Sequence, residues 1–189
     1  MEHKKREAVS RDAGQRPVHL VVLGAAGTGK TTIGAGLAAR LGLPFGEGDD
    51  FHSQANVAKM AAGQALTDED RWPWLASLRD WMSEQAAAGR SSVVACSALR
   101  GAYRDVLREA DGEVFFIHLN LPEDVNLDRL VSRQGHFMKP VMLGSQRAAL
   151  EGLGPAENGI EAVNIGDPAV VIAQIASAVE ARFGSRLTA

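Results

Sequence analysis

The stretch Gly24-Ala25-Ala26-Gly27-Thr28-Gly29-Lys30-Thr31 decides the fold of this chain. It fits the P-loop pattern G-x-x-x-x-G-K-[ST], in which glycines let backbone N–H groups turn inward around phosphate oxygens. The lysine can reach the β- and γ-phosphates, and the threonine hydroxyl can ligate Mg²⁺. The motif therefore predicts a site for ATP and Mg²⁺. Its predicted nucleotide contacts are Gly24, Ala25, Ala26, Gly27, Thr28, Gly29, Lys30, Thr31 and Thr32.

Both flanks of the glycine loop support this interpretation. The run 18–23 is short, apolar and rich in β-branched residues, which is typical of a buried parallel strand. After the loop, Ile33, Leu37 and Leu41 follow at four-residue spacing and form one apolar face of a helix. Strand, glycine loop and helix is the order that the motif requires. The motif does not say which group, if any, receives the phosphate.

The bulk composition excludes several classes of protein. The 189 residues carry a net charge of −3, so nothing favours binding to nucleic acid or to a membrane surface. No apolar run approaches the ~20 residues of a membrane span. Cys96 is the only cysteine, which rules out intramolecular disulfides and favours a cytoplasmic setting. Residues 1–16 are polar and predict a disordered tail before a single domain at 17–189, although their basic run could also be a nucleic-acid arm.

Carboxylates follow a second predicted strand. Pro44 and Phe45 lead into Glu47 and Asp49, and the carboxyl ends of strands face the ligand in open α/β sheets. Acids at that place can hold Mg²⁺ and accept a proton from a hydroxyl, so the predicted metal ligands are Thr31, Glu47 and Asp49. The strand that follows ends in Cys96, where many P-loop proteins carry an aspartate. Cys96 is predicted to be a small buried residue rather than a nucleophile.

The helical pattern between these strands predicts a cover over the site. A helix is predicted over 53–63 with Val57 on its apolar face. The next helix opens on a capping box at Thr67, has Pro73 in its first turn and ends near Ala88. The three tryptophans are predicted to pack in the core or at a hinge, with ring stacking on a ligand as the less favoured alternative.

Two stretches of the second half carry basic residues that are candidates for the site. Arg100, Arg104 and Arg108 recur at four-residue spacing, which is typical of a solvated helix face, but Arg100 lies nearest a strand end and is predicted to bind an anionic substrate. The basic loop 134–140 predicts a lid over the phosphates. His118 lies in a strand and is predicted to be a satisfied core residue. Alternating strands and helices predict a parallel sheet with helices on both faces.

At this point the sequence resembles the thermoresistant-type gluconokinases, which belong to the shikimate-kinase-like group of P-loop kinases. The resemblance extends from about His19 to the last helix. Its most specific motifs are D-D-F-H at 49–52, D-R-x-P-W-L at 70–75, C-S-A-L-R at 96–100 and G-H-F-M at 135–138.

The resemblance implies ATP-dependent phosphorylation of D-gluconate at its terminal hydroxyl, which gives 6-phosphogluconate for the pentose phosphate pathway. It also implies a three-layer αβα fold with a five-stranded parallel sheet, a helical substrate-binding insertion at 51–89, a lid at 133–145 and a homodimer. Arg129 would lie near the adenine. The catalytic residues it implies are Lys30, Asp49 and Arg133. The substrate ligands it implies are Asp49, His52, Arg71, Arg100, Arg104, His136 and Gln146.

Three positions depart from the family pattern. Glu47 stands where the family commonly has aspartate, Ser53 replaces a common proline, and Arg147 stands where an aromatic residue is usual. Two alternatives remain open at this stage. One is a related small-molecule kinase, although the glycine triplet expected of shikimate kinases near 96–98 is absent and a nucleotide kinase usually has more lid arginines. The other is an ATP-dependent switch that phosphorylates nothing, which would not need arginines and carboxylates around a small acid.

Overall fold

A single parallel sheet forms the centre of the molecule. The computed structural model describes residues 16–122, 125–126 and 149–187. The sheet has five strands in the order β2-β3-β1-β4-β5, and every neighbouring pair is parallel. The strands are β1 (Val18–Leu23), β2 (Phe45–Glu47), β3 (Ser92–Ala95), β4 (Glu113–Asn120) and β5 (Gly159–Val163).

Helices connect these strands and cover the sheet. The helices with both ends described are α1 (Lys30–Leu41), α2 (Gln54–Ala61), α3 (Asp68–Ala87), α4 (Gly101–Arg108) and α5 (Pro168–Phe183). Short 3₁₀ turns at Gly48–Phe51 and Gly184–Leu187 follow β2 and α5. In the described part of the chain, no helix is long and apolar enough to cross a bilayer.

Alternating strand residues build two cores, one on each face of the sheet. Leu20 and Val22 of β1 face a core formed with α1 and α5, whereas Val21 and Leu23 face a core formed with α3 and α4. Side chains that alternate between two buried faces explain why the central strands are apolar along their whole length. The predicted three-layer α/β fold with a five-stranded parallel sheet is confirmed.

Three details of the helices differ from the sequence prediction. Val57 is 42% exposed, because α2 faces the protein through Asn56, whose side chain donates a hydrogen bond to the carbonyl oxygen of Asp70. Pro73 lies inside α3, since the confirmed capping box makes Asp68 the first residue and places the proline in the second turn. The sequence also predicts a helix over about 145–152, but residues 150–152 are not helical.

Ser53, one of the departures from the family pattern, caps helix α2. Its side chain accepts a hydrogen bond from the backbone N–H of Asn56 at 3.2 Å. Serine satisfies one of the first-turn N–H groups that a proline at this position would leave without a side-chain acceptor. The substitution therefore keeps the beginning of α2 defined.

His19 is a fully buried side chain at the base of the sheet. Its Nε2 lies 2.8 Å from the carbonyl oxygen of Asp111, so Nε2 carries the proton, and Nδ1 accepts from the hydroxyl of Ser92 at 2.8 Å. Burial is the main cause that lowers the pKa of His19 below 6.5. Burial likewise lowers the pKa of His52 and of His118. All three rings are therefore held in the neutral form by the fold.

These histidines predict a loss of stability in mild acid. Below pH 6.5 the unfolded chain binds more protons than the native one, so the free energy of unfolding should fall as pH falls, by up to about 1.4 kcal/mol per pH unit for each histidine. Urea unfolding between pH 7.5 and 5.5 measures this slope. His19→Gln should be less stable at pH 7.5 but should show a shallower slope. Equal slopes in both proteins would contradict the assignment to His19.

Candidate active site

The candidate site lies along one edge of the sheet. Because the five strands are parallel, their carboxyl ends share this edge, and ligands of open α/β sheets bind there. The glycine loop follows β1, the turn Gly48–Phe51 follows β2, and the segment 96–100 follows β3. The sequence-predicted P-loop, acids and Arg100 thus come from three neighbouring strands.

The glycine loop has the backbone geometry that its motif predicts. Gly27 and Gly29 have φ angles of 81° and 89°, which favour glycine over any other residue. Helix α1 begins at Lys30 directly after the loop, with no side-chain cap and no acidic residue in its first turn. The Lys30 ammonium donates to the carbonyl oxygen of Ala25 at 3.1 Å, as does the Thr28 hydroxyl at 2.9 Å. An uncapped helix N-terminus beside a lysine is a suitable place for phosphate.

Asn164, which directly follows the edge strand β5, stabilises the glycine loop through a hydrogen bond that the sequence did not predict. Its side chain is 2% exposed and donates from Nδ2 to the carbonyl oxygen of Thr28 at 2.7 Å. The two residues are 136 positions apart in sequence. The available signal was a polar residue directly after the last strand, at the edge where ligands bind.

Two carboxylates and a hydroxyl meet beside Lys30. Burial raises the pKa of Glu47, a hydrogen bond from the Thr31 hydroxyl opposes that rise, and the negative charge of Asp49 adds to it. Oε2 of Glu47 is buried and has no hydrogen-bond partner among the residues that the structure describes. Asp49 itself is exposed. An unpaired buried carboxylate oxygen next to a hydroxyl and a second carboxylate suits a hard divalent cation.

The turn that carries Asp49 is held tightly against β3. A Cβ added to Gly48 would lie 2.5 Å from the carbonyl oxygen of Ala95 and 2.8 Å from Cβ of Cys96, so only glycine allows this approach. The indole Nε1 of Trp74 donates to the carbonyl oxygen of Gly48 at 2.7 Å. The ring of His52 stacks on the same indole, with centroids 4.4 Å apart.

Cys96 lies at the floor of the site and is buried, as predicted. Burial raises the pKa of its thiol to about 12. Because the thiolate is the nucleophilic form, this thiol is inert at neutral pH. The expectation of a small buried residue is confirmed.

Two arginines line a pocket of about 150 Å³ between α3 and α4. Nη1 of Arg100 lies 3.0 Å from the Asp68 carboxylate, which also accepts from the Tyr103 hydroxyl at 2.5 Å. The guanidinium carbons of Arg71 and Arg100 each lie 5.6 Å from the centroid of the Tyr103 ring. The rings of Trp72 and Tyr103 pack in a T-shaped arrangement, with their centroids 5.4 Å apart. Sequence reasoning named both arginines but gave no role to Asp68 or Tyr103.

Arg104 is the predicted substrate ligand that the structure removes from the set. Its side chain is 1% exposed and pairs with Glu157, with Nε and Oε1 2.5 Å apart. Its Nη1 and Nη2 donate to four backbone carbonyl oxygens, those of Ala98, Leu99, Glu151 and Gly152, and Nη2 also donates to Oε2 of Glu157. With every donor group engaged inside the protein, Arg104 fastens the segment after β3 to residues 151–157. The four-residue spacing indicated one arginine face, but burial separates Arg104 from its two neighbours.

Loss of Arg104 should destabilise the fold strongly. Arg104→Met leaves the Glu157 carboxylate buried without its counter-charge and should lower the free energy of unfolding by about 3–5 kcal/mol. Arg108→Met, one turn later, removes an exposed arginine that pairs with Asp105 and should cost only about 0–1 kcal/mol. Urea denaturation of both variants measures the difference. An equal loss of unfolding free energy in both variants would show that the buried Arg104–Glu157 pair stabilises the fold no more than the exposed Arg108–Asp105 pair does.

His118 is buried, as predicted, but it is not satisfied by a hydrogen bond within the described residues. Its Nδ1 lies 3.7 Å from the nearest Glu161 oxygen, which is too long for a hydrogen bond. The other half of the prediction, a core position, is confirmed by its 3% exposure.

The remaining predicted site residues lie outside the described residues. They are Arg129, Arg133, His136 and Gln146, and with them the whole predicted lid at 133–145; Arg147 lies there too. Their roles stay predictions.

Comparison with known proteins connects this geometry to a family. The shikimate kinase family model matches residues 26–157. The gluconokinase of Gluconobacter oxydans (strain 621H) is 48% identical over 162 residues, which cover 86% of this chain and 91% of that protein.

Two solved structures agree with the sequence comparison. An unliganded sugar kinase from Janibacter sp. HTCC2649 superposes with a TM-score of 0.81 at 48% identity, covering 85% of this chain and 93% of that one. A gluconokinase from Sinorhizobium meliloti 1021 superposes with a TM-score of 0.77 at 38% identity, covering 92% and 97%. The sequence, the sheet and its glycine loop all place this chain in the gluconokinase family, within the wider group of kinases that the shikimate kinase model describes.

Proposed function

We propose that this chain transfers the γ-phosphoryl group of ATP to the terminal hydroxyl of D-gluconate and releases 6-phospho-D-gluconate. The observation that carries the proposal is that helix α3 lines the arginine pocket with Arg71 and, through the hydrogen bond from Trp74 to Gly48, also holds the turn that carries Asp49. Burial lowers the pKa of His52; the negative charge of Asp49 opposes this shift, and the positive charge of Arg71 adds to it. His52 therefore lies within the electrostatic reach of both groups, as a short polyhydroxy acid with a carboxylate at one end would require.

The phosphate end of the reaction belongs to the glycine loop. The N–H groups at the beginning of α1 and the Lys30 ammonium would hold the β- and γ-phosphates of ATP. Asn164 fixes the loop through Thr28, so these donors keep their positions before the nucleotide arrives. Donors held in place in advance stabilise the charge on the transferred group without reorganising during the reaction.

The donor set beside the loop fits Mg²⁺. Thr31 and Glu47 would hold the ion, with Asp49 contributing a second negative charge. The unpaired oxygen of Glu47 supports this choice, because a buried carboxylate oxygen without a partner gains most from a cation. When bound, Mg²⁺ supplies charge neutralisation at the phosphate oxygens. The longer Glu47, where the family commonly has aspartate, still reaches the Thr31 hydroxyl.

The acceptor end combines guanidinium and carboxylate groups. Arg71 and Arg100 would bind the gluconate carboxylate, because the guanidinium fork matches its geometry. Asp49 would accept the proton of the terminal hydroxyl as its oxygen attacks phosphorus. His52, which burial keeps neutral, can share a hydrogen bond with a sugar hydroxyl.

Several finer assignments rest on the family resemblance alone. Arg129 would contact the adenine, and Arg133, His136 and Gln146 would act from the lid and the helix after it. A single kinase domain with a lid that closes over the site, a homodimeric assembly and a cytoplasmic location belong to the same group of proposals. The buried, reduced Cys96 is compatible with a reducing compartment.

A panel of acceptors tests the proposal. ADP release from Mg-ATP is measured with D-gluconate, other sugar acids, shikimate, nucleoside monophosphates and no acceptor. We expect turnover with D-gluconate at least about tenfold above every other compound, since a site that pairs buried polar groups with a substrate rejects analogues that leave them unpaired. Turnover with shikimate or a nucleotide instead would assign a related kinase. Equal slow release in all samples would indicate an ATP-dependent switch.

A further inference from the structure

A single indole joins the helix that carries Arg71 to the turn that carries Asp49. Trp74 is 2% exposed, and its Nε1 donates to the carbonyl oxygen of Gly48 at 2.7 Å. Gly48 directly precedes Asp49 in the turn Gly48–Phe51. The hydrogen bond therefore acts on the backbone one residue from the proposed proton acceptor.

The same indole also holds the far end of the turn. His52 follows the turn as its C-cap, and its ring stacks on Trp74 at an interplanar angle of 16°. The backbone N–H of His52 reaches back to the carbonyl oxygen of Asp49 at 3.4 Å. Trp74 thus contacts the residue before Asp49 and the residue that closes the turn after it, so a change in its position would move Asp49.

The side of the turn that faces β3 has no room to move closer to the strand. Gly48 packs so closely on β3 that even a methyl group would overlap the carbonyl oxygen of Ala95. With the strand on one side, the indole hydrogen bond decides how the peptide at Gly48 is oriented. The direction of the Asp49 side chain depends on that peptide, because the turn is only four residues long.

Helix α3 supplies both the indole and the anion pocket. Arg71 precedes Trp74 by three residues, about 4.5 Å along the helix axis. Arg71 and Asp68 line the pocket, and Tyr103 joins Asp68 and both arginines to α4. Helix α3 therefore sets the distance between Arg71, the proposed ligand of the substrate carboxylate, and Asp49, the proposed acceptor of the hydroxyl proton.

We infer that Trp74 is a positioning residue that fixes the distance from the arginine pocket to Asp49 and so selects sugar acids by chain length. The inference rests on the proposed function. We expect a six-carbon acid anchored at its carboxylate to place its terminal hydroxyl at Asp49 and a five-carbon acid to fall short of it. Without the indole hydrogen bond Asp49 takes several positions, and the correct hydroxyl is met less often. Binding at the pocket is unaffected.

Two variants of Trp74 and one matched control test the inference. Trp74→Phe removes the N–H group and part of the ring. Replacement of Trp74 by benzothienylalanine removes only the N–H group and keeps the ring that stacks on His52. Trp81→Phe is the control, because Trp81 lies on the same helix and contacts the same turn through its ring at Phe51. Steady-state kinetics with D-gluconate and a five-carbon aldonate give kcat, KM and the length preference, and thermal unfolding reports stability.

For both Trp74 variants we expect kcat with D-gluconate to fall about tenfold while KM stays within about twofold, as for a small misplacement of a reacting group. The preference for the six-carbon over the five-carbon acid should fall about tenfold, a ratio that partial unfolding does not change. Trp81→Phe should keep the wild-type ratio. If Trp74→Phe fails to fold, the kinetics of the benzothienylalanine protein alone test the role of the indole N–H group.

Unchanged kcat and length preference in the benzothienylalanine protein would overturn the inference, as would a rise in KM alone. A wild-type protein that uses both acids equally well would overturn it too. These results differ from failure of the proposed function, in which the wild-type protein does not phosphorylate D-gluconate at all.

Discussion

Asp49→Asn should lower kcat for D-gluconate about 10²- to 10⁴-fold, the range that a general base contributes. Asparagine keeps the size of the side chain but cannot take the proton of the attacking hydroxyl. The turn should remain intact, because Gly48 and His52 hold it through Trp74. Steady-state ADP release measures kcat, and the KM for D-gluconate should change far less, since the arginine pocket is untouched.

Asp50→Asn is the matched control for this substitution. Asp50 is the next residue in the same exposed turn, so its loss changes the net charge by the same amount. We expect activity within about twofold of wild type, as for other surface substitutions. Equal effects of the two substitutions would show that only the overall charge matters. Recovery of the Asp49→Asn protein at high Mg²⁺ would assign Asp49 to metal binding rather than to proton transfer.

Lys30→Met should lower kcat about 10²- to 10³-fold, the typical loss when one donor to the developing charge is removed. Lys30 is the first residue of α1 and lies beside the predicted phosphate position, where its ammonium already contacts the carbonyl oxygen of Ala25. Methionine keeps much of the apolar stem and a good helix propensity, so the helix should form normally. Single-turnover phosphoryl transfer at saturating ATP measures the loss in the chemical step.

Arg40→Met provides the comparison for Lys30. Arg40 lies in the last turn of the same helix and is exposed, so its replacement by methionine removes one positive charge far from the phosphates. Its activity should stay within about twofold of wild type. A Lys30→Met protein that raises the KM for ATP but keeps the wild-type kcat would assign the lysine to binding of ATP alone.

Local patterns predicted the fold well because they follow from local physics. The strand at 18–23, the helix with Ile33 and Leu37 buried and the capping box at Thr67 all depend on residues within a few positions of one another. The pair Asp167-Pro168 likewise predicts the cap of the last helix from neighbouring residues alone, and the structure confirms it, with the Asp167 side chain accepting from the N–H of Ala169. Such interactions can be predicted from the sequence without knowledge of the tertiary structure.

The wrong sequence predictions concern residues whose burial depends on partners far away in the sequence or on another element. Helical spacing assigned Val57 to the inner face of α2, but Asn56 is buried there because it binds the backbone of Asp70. Spacing also grouped Arg104 with exposed arginines, although Glu157, more than fifty residues later, holds it in the interior. No periodicity reports such partners, since a hydrogen-bonded polar residue can replace an apolar one in a core position.

The candidate site was predicted in part. The glycine loop, Glu47, Asp49, Arg71 and Arg100 were named from motifs, and the fold brings them to one edge of the sheet. Contacts that support those residues were not foreseen, namely the brace from Asn164, the indole of Trp74 on Gly48 and the carboxylate of Asp68. Each joins side chains and backbone far apart in sequence, so only the folded chain shows them.

The most direct measurement is the structure of the product formed from Mg-ATP and D-gluconate. Mass spectrometry of the reaction mixture gives the number of phosphoryl groups added, and ³¹P–¹H correlation NMR gives the carbon that carries them. We expect a single phosphoryl group on the terminal hydroxyl, formed in equal amount to the ADP released. Release of ADP together with inorganic phosphate and unmodified D-gluconate, or a phosphate on another hydroxyl, would contradict it.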